Sequence, residues 1–341
     1  KRQLRRGAYD ARDKEVFAGT PDALPPFPEG LKKDRLGLAK WLLSDEHPLT
    51  SRVTVNRYWQ MIFSRGIVAT PEDFGSQGDR PTHAALLDWL SRDFMDSGWD
   101  VRRLLKQMVL SATYRQSTVT TPEIREKDPK NLYLSRGNAS RLTAEMIRDQ
   151  ALATSGLLDR KVGGPSVKPY EVKYGLKTMN PDMKNGLYRR SLYTWWQITS
   201  PAPVMTTFNA SKRAVCRVSR DVTASPLQAL VLLNGPEFIE THRILGVKLL
   251  TQFPKPEEEP AMVDTLFRTL TSRMPDSRER DVFLKLYRDQ LEYFKKNPAE
   301  AAALLKVGAA PKSSSIDDAH QAAATILVNT IFNLDECLLK R

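Results

Sequence analysis

Cysteine and histidine are scarce in this chain, which has two cysteines and four histidines among its 341 residues. Cys216 and Cys337 lie too far apart in sequence to form a CxxC pair, so the pattern excludes a zinc ribbon and a c-type haem attachment site. Two cysteines also exclude a disulfide-stabilised scaffold. We therefore expect no cofactor and no metal in this chain.

Long apolar runs and export signals are missing as well. The longest uncharged run, residues 191–211, contains Pro201, Pro203 and several polar side chains, so it does not match the ~20 apolar residues that a membrane span needs. The basic residues 1–6 are not followed by the apolar region of a signal peptide. Because an initiating Met is also absent, we interpret the sequence as a fragment or processed product of a longer protein.

The residues that are present describe a basic, globular protein. The chain is 41% hydrophobic and 27% charged, with a formal net charge of +12. Its length exceeds the ~250–300 residues of one core, which predicts one large domain with an appendage, or two domains. Basic and acidic residues alternate throughout and no nucleic-acid reader motif occurs, which makes nucleic-acid binding the least favoured interpretation. An anionic polysaccharide or an acidic partner would satisfy the same charge.

Hydrophobic spacing predicts a mainly α-helical, bundle-like fold with a few short strands and long loops. Glycines and prolines break the helical period in residues 1–33, which we interpret as an extended arm. A loop-rich insertion at about 160–210 holds the best strand candidate, residues 191–196. Helices are predicted in the first half of the chain at about 36–43, 52–64, 82–97, 101–112 and 143–155.

A proline-rich run with three consecutive glutamates, residues 254–260, is the predicted linker. It divides the chain into a main helical domain, 34–253, and a C-terminal helical subdomain, 261–341. Ahead of the linker, Ser225 and Gln228 have the spacing of a capping box around Pro226, which predicts a helix start.

Two polar groups are candidates for chemistry. Asp73, His83 and Asp88 combine carboxylates with an imidazole, as acid–base catalysis requires. His83 and Asp88 are five residues apart, unlike the i, i+4 ligand pair of a helical metal site. The structural alternative is that Asp73 binds loop amides and His83 assists a helix start.

The second group lies on a predicted helix. Arg141, Glu145, Arg148 and Asp149 follow helical spacing, and the like charges of Glu145 and Asp149 need a cation between them. The group is either a salt-bridge network or an anion or sugar site. Together, the two groups form one candidate polar site. Its acids and histidine are Asp73, His83, Asp88, Glu145 and Asp149, and its arginines are Arg57, Arg115 and Arg148.

Several ordered motifs resemble one known family. They include Val55-Asn56-Arg57-Tyr58-Trp59 and Thr223-Ala224-Ser225-Pro226-Leu227-Gln228, with further matches at residues 64–68, 70–75, 81–83, 86–90, 111–116, 141–149, 163–167, 189–193 and 333–336. On these motifs the chain resembles the planctomycete-specific domain one family, a domain of unknown function, over nearly its whole length.

The resemblance also implies a domain context and a cellular location. Such domains stand C-terminal in large exported bacterial proteins, after a cytochrome c-type domain and a second helical domain. It therefore implies a periplasmic or envelope-associated protein whose partners are those upstream domains or their cleaved products, with haem only in a partner. No catalytic residue carries over to this chain.

The leading hypothesis is a non-catalytic accessory or scaffold module. The alternative is a glycan-directed hydrolase that uses carboxylates of the N-terminal half. An open pocket where Asp73, His83, Asp88 or Glu145 converge would favour the hydrolase, whereas the same groups bonded to helix ends would favour the scaffold.

Overall fold

The structure is a computed structural model that describes residues 2–5, 9–169, 172–174, 177–179, 181–183, 186–197, 201–211, 213 and 215–340. Within these residues the protein is mainly α-helical, with thirteen helices and three two-stranded antiparallel sheets. The chain divides into an N-terminal unit, residues 1–139, and a C-terminal unit, residues 140–340. The predicted fold class is confirmed.

Two strands and five helices make up the N-terminal unit. The strands β1 (Arg2–Leu4) and β2 (Arg12–Glu15) pair within the predicted arm. The helices are α1 (Arg35–Leu42), α2 (Thr50–Phe63), α3 (Ala84–Asp96), α4 (Val101–Leu110) and α5 (Pro122–Lys127).

The core of this unit is built from one apolar stripe on each of α2, α3 and α4, as the period of 3.6 residues predicts. The buried side chains from these helices are Val55, Trp59, Phe63, Leu87, Leu90, Phe94, Leu104 and Met108. One amide lies among them: Asn56 is fully buried, its Nδ2 donates to the Val68 carbonyl at 3.0 Å and its Oδ1 accepts from the Val68 amide at 2.9 Å.

Gly66 is not the C-cap of helix α2, although glycine is typical of helix ends. The C-cap of this helix is Ser64, in the left-handed region at φ 67°. Gly66 serves another purpose, because a Cβ there would lie 2.4 Å from the Val68 carbonyl oxygen and 2.7 Å from the Asn56 side chain. The glycine therefore permits the close approach that the Asn56 hydrogen bonds require.

The C-terminal unit holds the remaining helices: α6 (Ala144–Ser155), α7 (Pro203–Thr207), α8 (Pro226–Asn234), α9 (Pro236–Gln252), α10 (Glu259–Thr271), α11 (Ser277–Lys296), α12 (Pro298–Leu305) and α13 (Asp318–Phe332). Strand β3 (Ser140–Arg141) pairs with β6 (Leu339–Lys340), with Arg141 opposite Leu339. Strands β4 (Val172–Tyr174) and β5 (Lys177–Met179) pair within the predicted insertion.

Helix α13 forms the centre of the C-terminal unit. It packs against α9, α11 and α12, and eleven of its fifteen residues are buried. Its buried polar residues, Gln321, Thr325 and Asn329, donate to carbonyl oxygens, as burial requires. Gly246 of α9 fits closely against it, since a Cβ at that position would lie 3.1 Å from the Cβ of Ala324.

Buried charged groups tie loops to this core. Arg243 is fully buried, and its guanidinium donates to the carbonyls of Ala310 and Pro311 at 2.5 and 2.9 Å. The Glu240 carboxylate accepts from the Ala309 amide at 2.9 Å and from the Tyr188 hydroxyl at 2.8 Å. The loop after α12 is thus held by one acid and one base from a single turn of α9.

The predicted linker 254–260 does not separate two units. Pro256–Glu258 form a turn of 3-10 helix that leads into α10, and one core contains Phe238 and Leu249 from before it together with Met262 and Phe267 from after it. The proline run suggested a boundary, but prolines are also tolerated at the first position of helices, where their missing N–H costs nothing.

Residues 191–196 do not form the predicted strand. Ser191–Tyr193 is a turn of 3-10 helix, and Thr194 makes one isolated bridge with Val167. The Ser191 amide and hydroxyl donate to Asp149 at 2.8 and 2.6 Å, which fixes the turn instead. Aromatic and β-branched composition favoured a strand, and this tertiary contact overrides it.

Candidate functional site

The first predicted polar group lies in the N-terminal unit and serves local structure. Asp73 Oδ1 accepts from the Gly75 amide at 2.6 Å. His83 is the N-cap residue of α3 but its side chain makes no capping bond; its Nδ1 lies 3.1 Å from Thr82 Oγ1. These contacts close a loop around Asp73 and place His83 beside a helix start.

Asp88 forms a surface ion pair. Its Oδ1 accepts from Arg52 Nε at 2.7 Å, and its side chain is 57% exposed. Arg57 and Arg115, which the sequence offered as cations for the candidate site, are exposed and form no ion pair within the described part of the chain. An exposed ion pair such as Arg52–Asp88 contributes about 0–1 kcal/mol to the free energy of unfolding.

Arg148 and Asp149, in the C-terminal unit, hold the segment before Trp195 to α6. The Arg148 side chain is 4% exposed; it donates to Glu237 Oε2 at 3.0 Å and to the carbonyls of Arg189 and Leu187. Asp149 accepts from Ser191, as described above. The Arg148 guanidinium is paired with Glu237 of α9 and also lies 3.9 Å from Asp149 of its own helix. Because Glu145 pairs with Arg220, the network differs from the one within a single helix that the spacing suggested.

Glu145 lies in the first turn of α6, which begins with the Thr143 side chain accepting from the Met146 amide at 3.3 Å. Its carboxylate accepts from Arg220 Nη1 at 2.6 Å. Burial acts to raise the pKa of Glu145, but the bond to Arg220 outweighs it and keeps the pKa below its usual value. Glu145 is therefore an ionised partner of an arginine and not a poised acid.

Arg141 lies where three separate segments of the chain meet. Its Nη1 donates to Asp335 and its Nη2 to Gln228 Oε1, both at 3.1 Å. Gln228 is 1% exposed and donates in turn to the Thr207 carbonyl at 2.9 Å. Sequence reasoning did not select Gln228 or Asp335 as site residues. The available signal was that both, like Arg141, belong to motifs that carry the family resemblance.

The Gln228 contacts replace the predicted capping box. Helix α8 begins where the motif predicts, with Ser225 as N-cap and Pro226 next, but Ser225 makes no side-chain capping bond. Gln228 cannot reach back to the Ser225 amide because Arg141 and Thr207 hold its amide group. A tertiary polar contact has taken over a residue that local chemistry would use as a cap.

Two cavities flank Arg141. The larger, of about 280 Å³, is lined by Arg141, Ala224, Ser225, Pro226, Ala229, Asn333, Asp335 and Leu338. The smaller, of about 40 Å³, is lined by Arg141, Leu142, Thr143, Phe208, Asn209, Arg220, Asp221, Val222, Thr223 and Gln228. The smaller, at about 40 Å³, has room for about three or four water molecules, since one water needs about 10–15 Å³. We call this region the Arg141 site.

The chemistry of the Arg141 site is that of hydrogen bonding. Arg141 is neutralised by Asp335 and Arg220 by Glu145, so neither guanidinium is a free anion receptor. Ser225 is the hydroxyl that lines the larger cavity, and no histidine lines that cavity within the described residues to act as its base. The site can hold a polar ligand or a polar segment of a partner.

In the described part of the chain, no three His, Cys, Asp or Glu side chains come together in a way that could hold a metal ion. Among the same residues, no helix has both the length and the apolar character to cross a bilayer.

The comparisons with known proteins give one result. The curated proteins and the solved structures contain no match to the chain. A family model described as PSD1, protein of unknown function (DUF1553), matches residues 34–287. This match covers well over half of the chain and confirms the resemblance that the motifs indicated. The chain belongs to the PSD1 family, whose function is unknown.

Proposed function

We propose that this chain is a non-catalytic accessory module of an exported, cytochrome c-type multidomain protein, in which it holds neighbouring domains or their cleaved products. One observation carries the proposal: the acids and bases that the sequence offered for catalysis are engaged in local structural bonds. Asp73 closes a loop, Asp88 pairs with Arg52, and Glu145 pairs with Arg220.

A glycan hydrolase needs a different arrangement. Its two carboxyl groups face each other across an open cleft, about 5–10 Å apart, and their environments separate their pKa values. Here Asp73 bonds the Gly75 amide and Asp88 pairs with an arginine. Burial acts to raise the pKa of Glu145, but the bond to Arg220 keeps that pKa low. This pattern supports the scaffold over the hydrolase.

The catalytic arm of the test measures release of reducing ends from bacterial envelope glycans by the purified chain. We expect the wild type, Asp88→Asn and Glu145→Gln to release equally little. The matched control is Asp289→Asn, an exposed acid that has no ion pair with any described residue, and it should behave in the same way. The proposal would be contradicted if the wild type hydrolysed a glycan, either site variant lost this activity, and the control kept it. The chain would then be an enzyme.

The partner arm tests the proposed setting. Haem, export and the upstream domains are parts of the proposal, so the full-length native protein is purified with whatever co-elutes. We expect the 341-residue chain alone to show no Soret band, and a haem-bearing domain or its cleaved product to co-purify with it. A stoichiometric Soret band from the isolated chain, or a native complex without any cytochrome-type component, would contradict the proposal.

A further inference from the structure

A second cleft, of about 330 Å³, lies within the C-terminal unit and away from the residues of the Arg141 site. Its walls come from the end of α9, the segment between α9 and α10, the first turn of α10, the middle of α11, and the start of α13 with the residues just before it. It is lined by Leu250, Phe253, Pro254, Lys255, Pro256, Glu259, Met262, Tyr287, Ser315, Ile316, Asp317 and His320. Its volume is at the small end of the range for small-molecule sites, about 300–1,000 Å³. We call it the Tyr287 cleft.

Tyr287 gives the cleft an unused hydrogen-bonding group. The residue is 2% exposed, yet its hydroxyl makes no hydrogen bond to any described residue. Burial, with a smaller effect from the Glu259 carboxylate, raises the pKa of Tyr287, so the hydroxyl stays protonated and can both donate and accept. Because Tyr287 lines the cleft, its hydroxyl is available to a ligand that enters there.

The charges around the cleft cancel. Glu259 accepts from Arg288 Nε at 2.7 Å. Asp317 caps α13 by accepting from the amides of Ala319 and His320, and Lys255 supplies an ammonium group without an ion pair in the described residues. An anionic ligand would meet Glu259 and Asp317, and a cationic one would meet Lys255. The balance favours a neutral ligand.

The remaining walls are apolar. Leu250, Phe253 and Pro254 come from the end of α9 and the turn after it, while Met262 and Ile316 face the cleft from α10 and from the segment before α13. Apolar walls with a few convergent polar groups are typical of small-molecule sites. Here the polar groups include donors and acceptors, which suits a ligand that carries several hydroxyl groups and one apolar face.

We propose that the Tyr287 cleft binds a neutral saccharide of monosaccharide size, with a ligand hydroxyl completing the hydrogen bonding of Tyr287. The proposal goes beyond the scaffold function and does not depend on it. The saccharide is free or forms the end of a glycan, two sources that share this chemistry.

The binding test titrates the chain with D-glucose, D-galactose and N-acetyl-D-glucosamine while methyl NMR signals of Met262 and Ile316 are followed. At least one neutral sugar is expected to shift them, with a Kd of about 1 mM or below. Glucosamine and glucuronate, the cationic and anionic counterparts, are expected to bind at least tenfold more weakly. A neutral oligosaccharide that binds better than its terminal monosaccharide identifies a glycan end as the source, and the reverse identifies the free sugar.

Tyr287→Phe provides the decisive variant, because it removes one oxygen and keeps the ring. We expect about tenfold weaker sugar binding, the effect of one hydrogen bond, and an unchanged or higher Tm without sugar. The matched control is Tyr293→Phe on the same helix, whose exposed hydroxyl donates to Glu300 at 2.6 Å; it should bind sugar like the wild type. Absence of sugar binding, preference for a charged analogue, or a Tm lowered by Tyr287→Phe would each overturn the proposal.

Discussion

The two units of this protein are stabilised in different ways. The N-terminal unit places polar groups at its surface or in local turns, and Asn56 is the fully buried amide among its described core residues. The C-terminal unit buries Arg148, Glu240 and Arg243, whose hydrogen-bond partners are far away in sequence. Periodicity therefore determines the first unit, whereas the second depends on charged side chains that bind distant backbone groups.

The strongest test of this contrast is Arg148→Met. Removing the guanidinium leaves Glu237 without its cation and the carbonyls of Leu187 and Arg189 without a donor, so we expect the free energy of unfolding of the C-terminal unit to fall by about 3–5 kcal/mol. Arg52→Ala, which breaks an exposed pair in the N-terminal unit, should cost about 0–1 kcal/mol. Urea unfolding, with hydrogen exchange to locate the loss, measures both. Equal losses of unfolding free energy in the two variants would contradict the difference between the two units.

Asn56→Ala tests the polar centre of the N-terminal unit. The variant loses two hydrogen bonds and leaves the Val68 amide and carbonyl buried without partners, which predicts a loss of about 2–3 kcal/mol. Hydrogen exchange should rise in residues 50–110 and stay unchanged in α13. Asn234→Ala, whose exposed amide donates to the Leu230 carbonyl at 3.1 Å, is the matched control and should cost little. A loss that spreads to α13 would mean that the two units unfold together.

His242 makes the C-terminal unit sensitive to acid. Burial lowers its pKa from 6.5 to about 3, so the unfolded state binds the proton more tightly and stability decreases as the pH falls below 6.5. The expected slope is about 1.4 kcal/mol per pH unit, or about 2 kcal/mol between pH 6.5 and 5. Urea unfolding at a series of pH values should show this slope in the wild type and little of it in His242→Leu.

The N-terminal unit contributes differently to the same pH profile. Burial acts to raise the pKa of Asp128, but amide bonds from Tyr133 and Leu132 outweigh it and lower the pKa below 3.8. The stabilisation by Asp128 is therefore intact above pH 3.8 and is lost only as the pH falls further. Burial also lowers the pKa of His47, so some slope between pH 6.5 and 5 survives in His242→Leu. An unchanged slope in that variant would show that His242 is not responsible.

The smallest effects are expected at the N-caps of α6 and α8. Thr143→Ala removes a capping bond to Met146 and should cost about 1 kcal/mol, whereas Ser225→Ala removes a hydroxyl that caps nothing and should cost only a few tenths. Thermal unfolding of the two variants side by side measures the difference. A Ser225→Ala loss as large as that of Thr143→Ala would restore the capping box that the sequence predicts.

The helices could be predicted from the sequence because their signals are local. The apolar stripes of α2, α3 and α4 follow from spacing, and the structure confirms them. Residue type likewise explains Asp100, which caps α4 by accepting from the Arg103 amide at 3.1 Å, and Gly156, which ends α6 at a positive φ of 85°. The partners of Arg148 and Arg243 could not be predicted in this way, because their acceptors are backbone carbonyls, which every residue has. The role of Gln228 was predicted wrongly for a related reason. Its spacing from Ser225 indicates a capping box, but the sequence does not show that Arg141 bonds its side chain instead.

The central position of α13 has a consequence for synthesis of the chain. A ribosome makes α9, α10 and α11 before α13, and chains grow at about 5–20 residues per second. For some seconds, therefore, the faces of those helices that carry Phe238, Phe267 and Phe283 have no α13 to cover them. The residues of the N-terminal unit have all been synthesised by then. The nascent C-terminal unit is thus the part of this protein that should depend on chaperones, until residues 318–332 emerge and close its core.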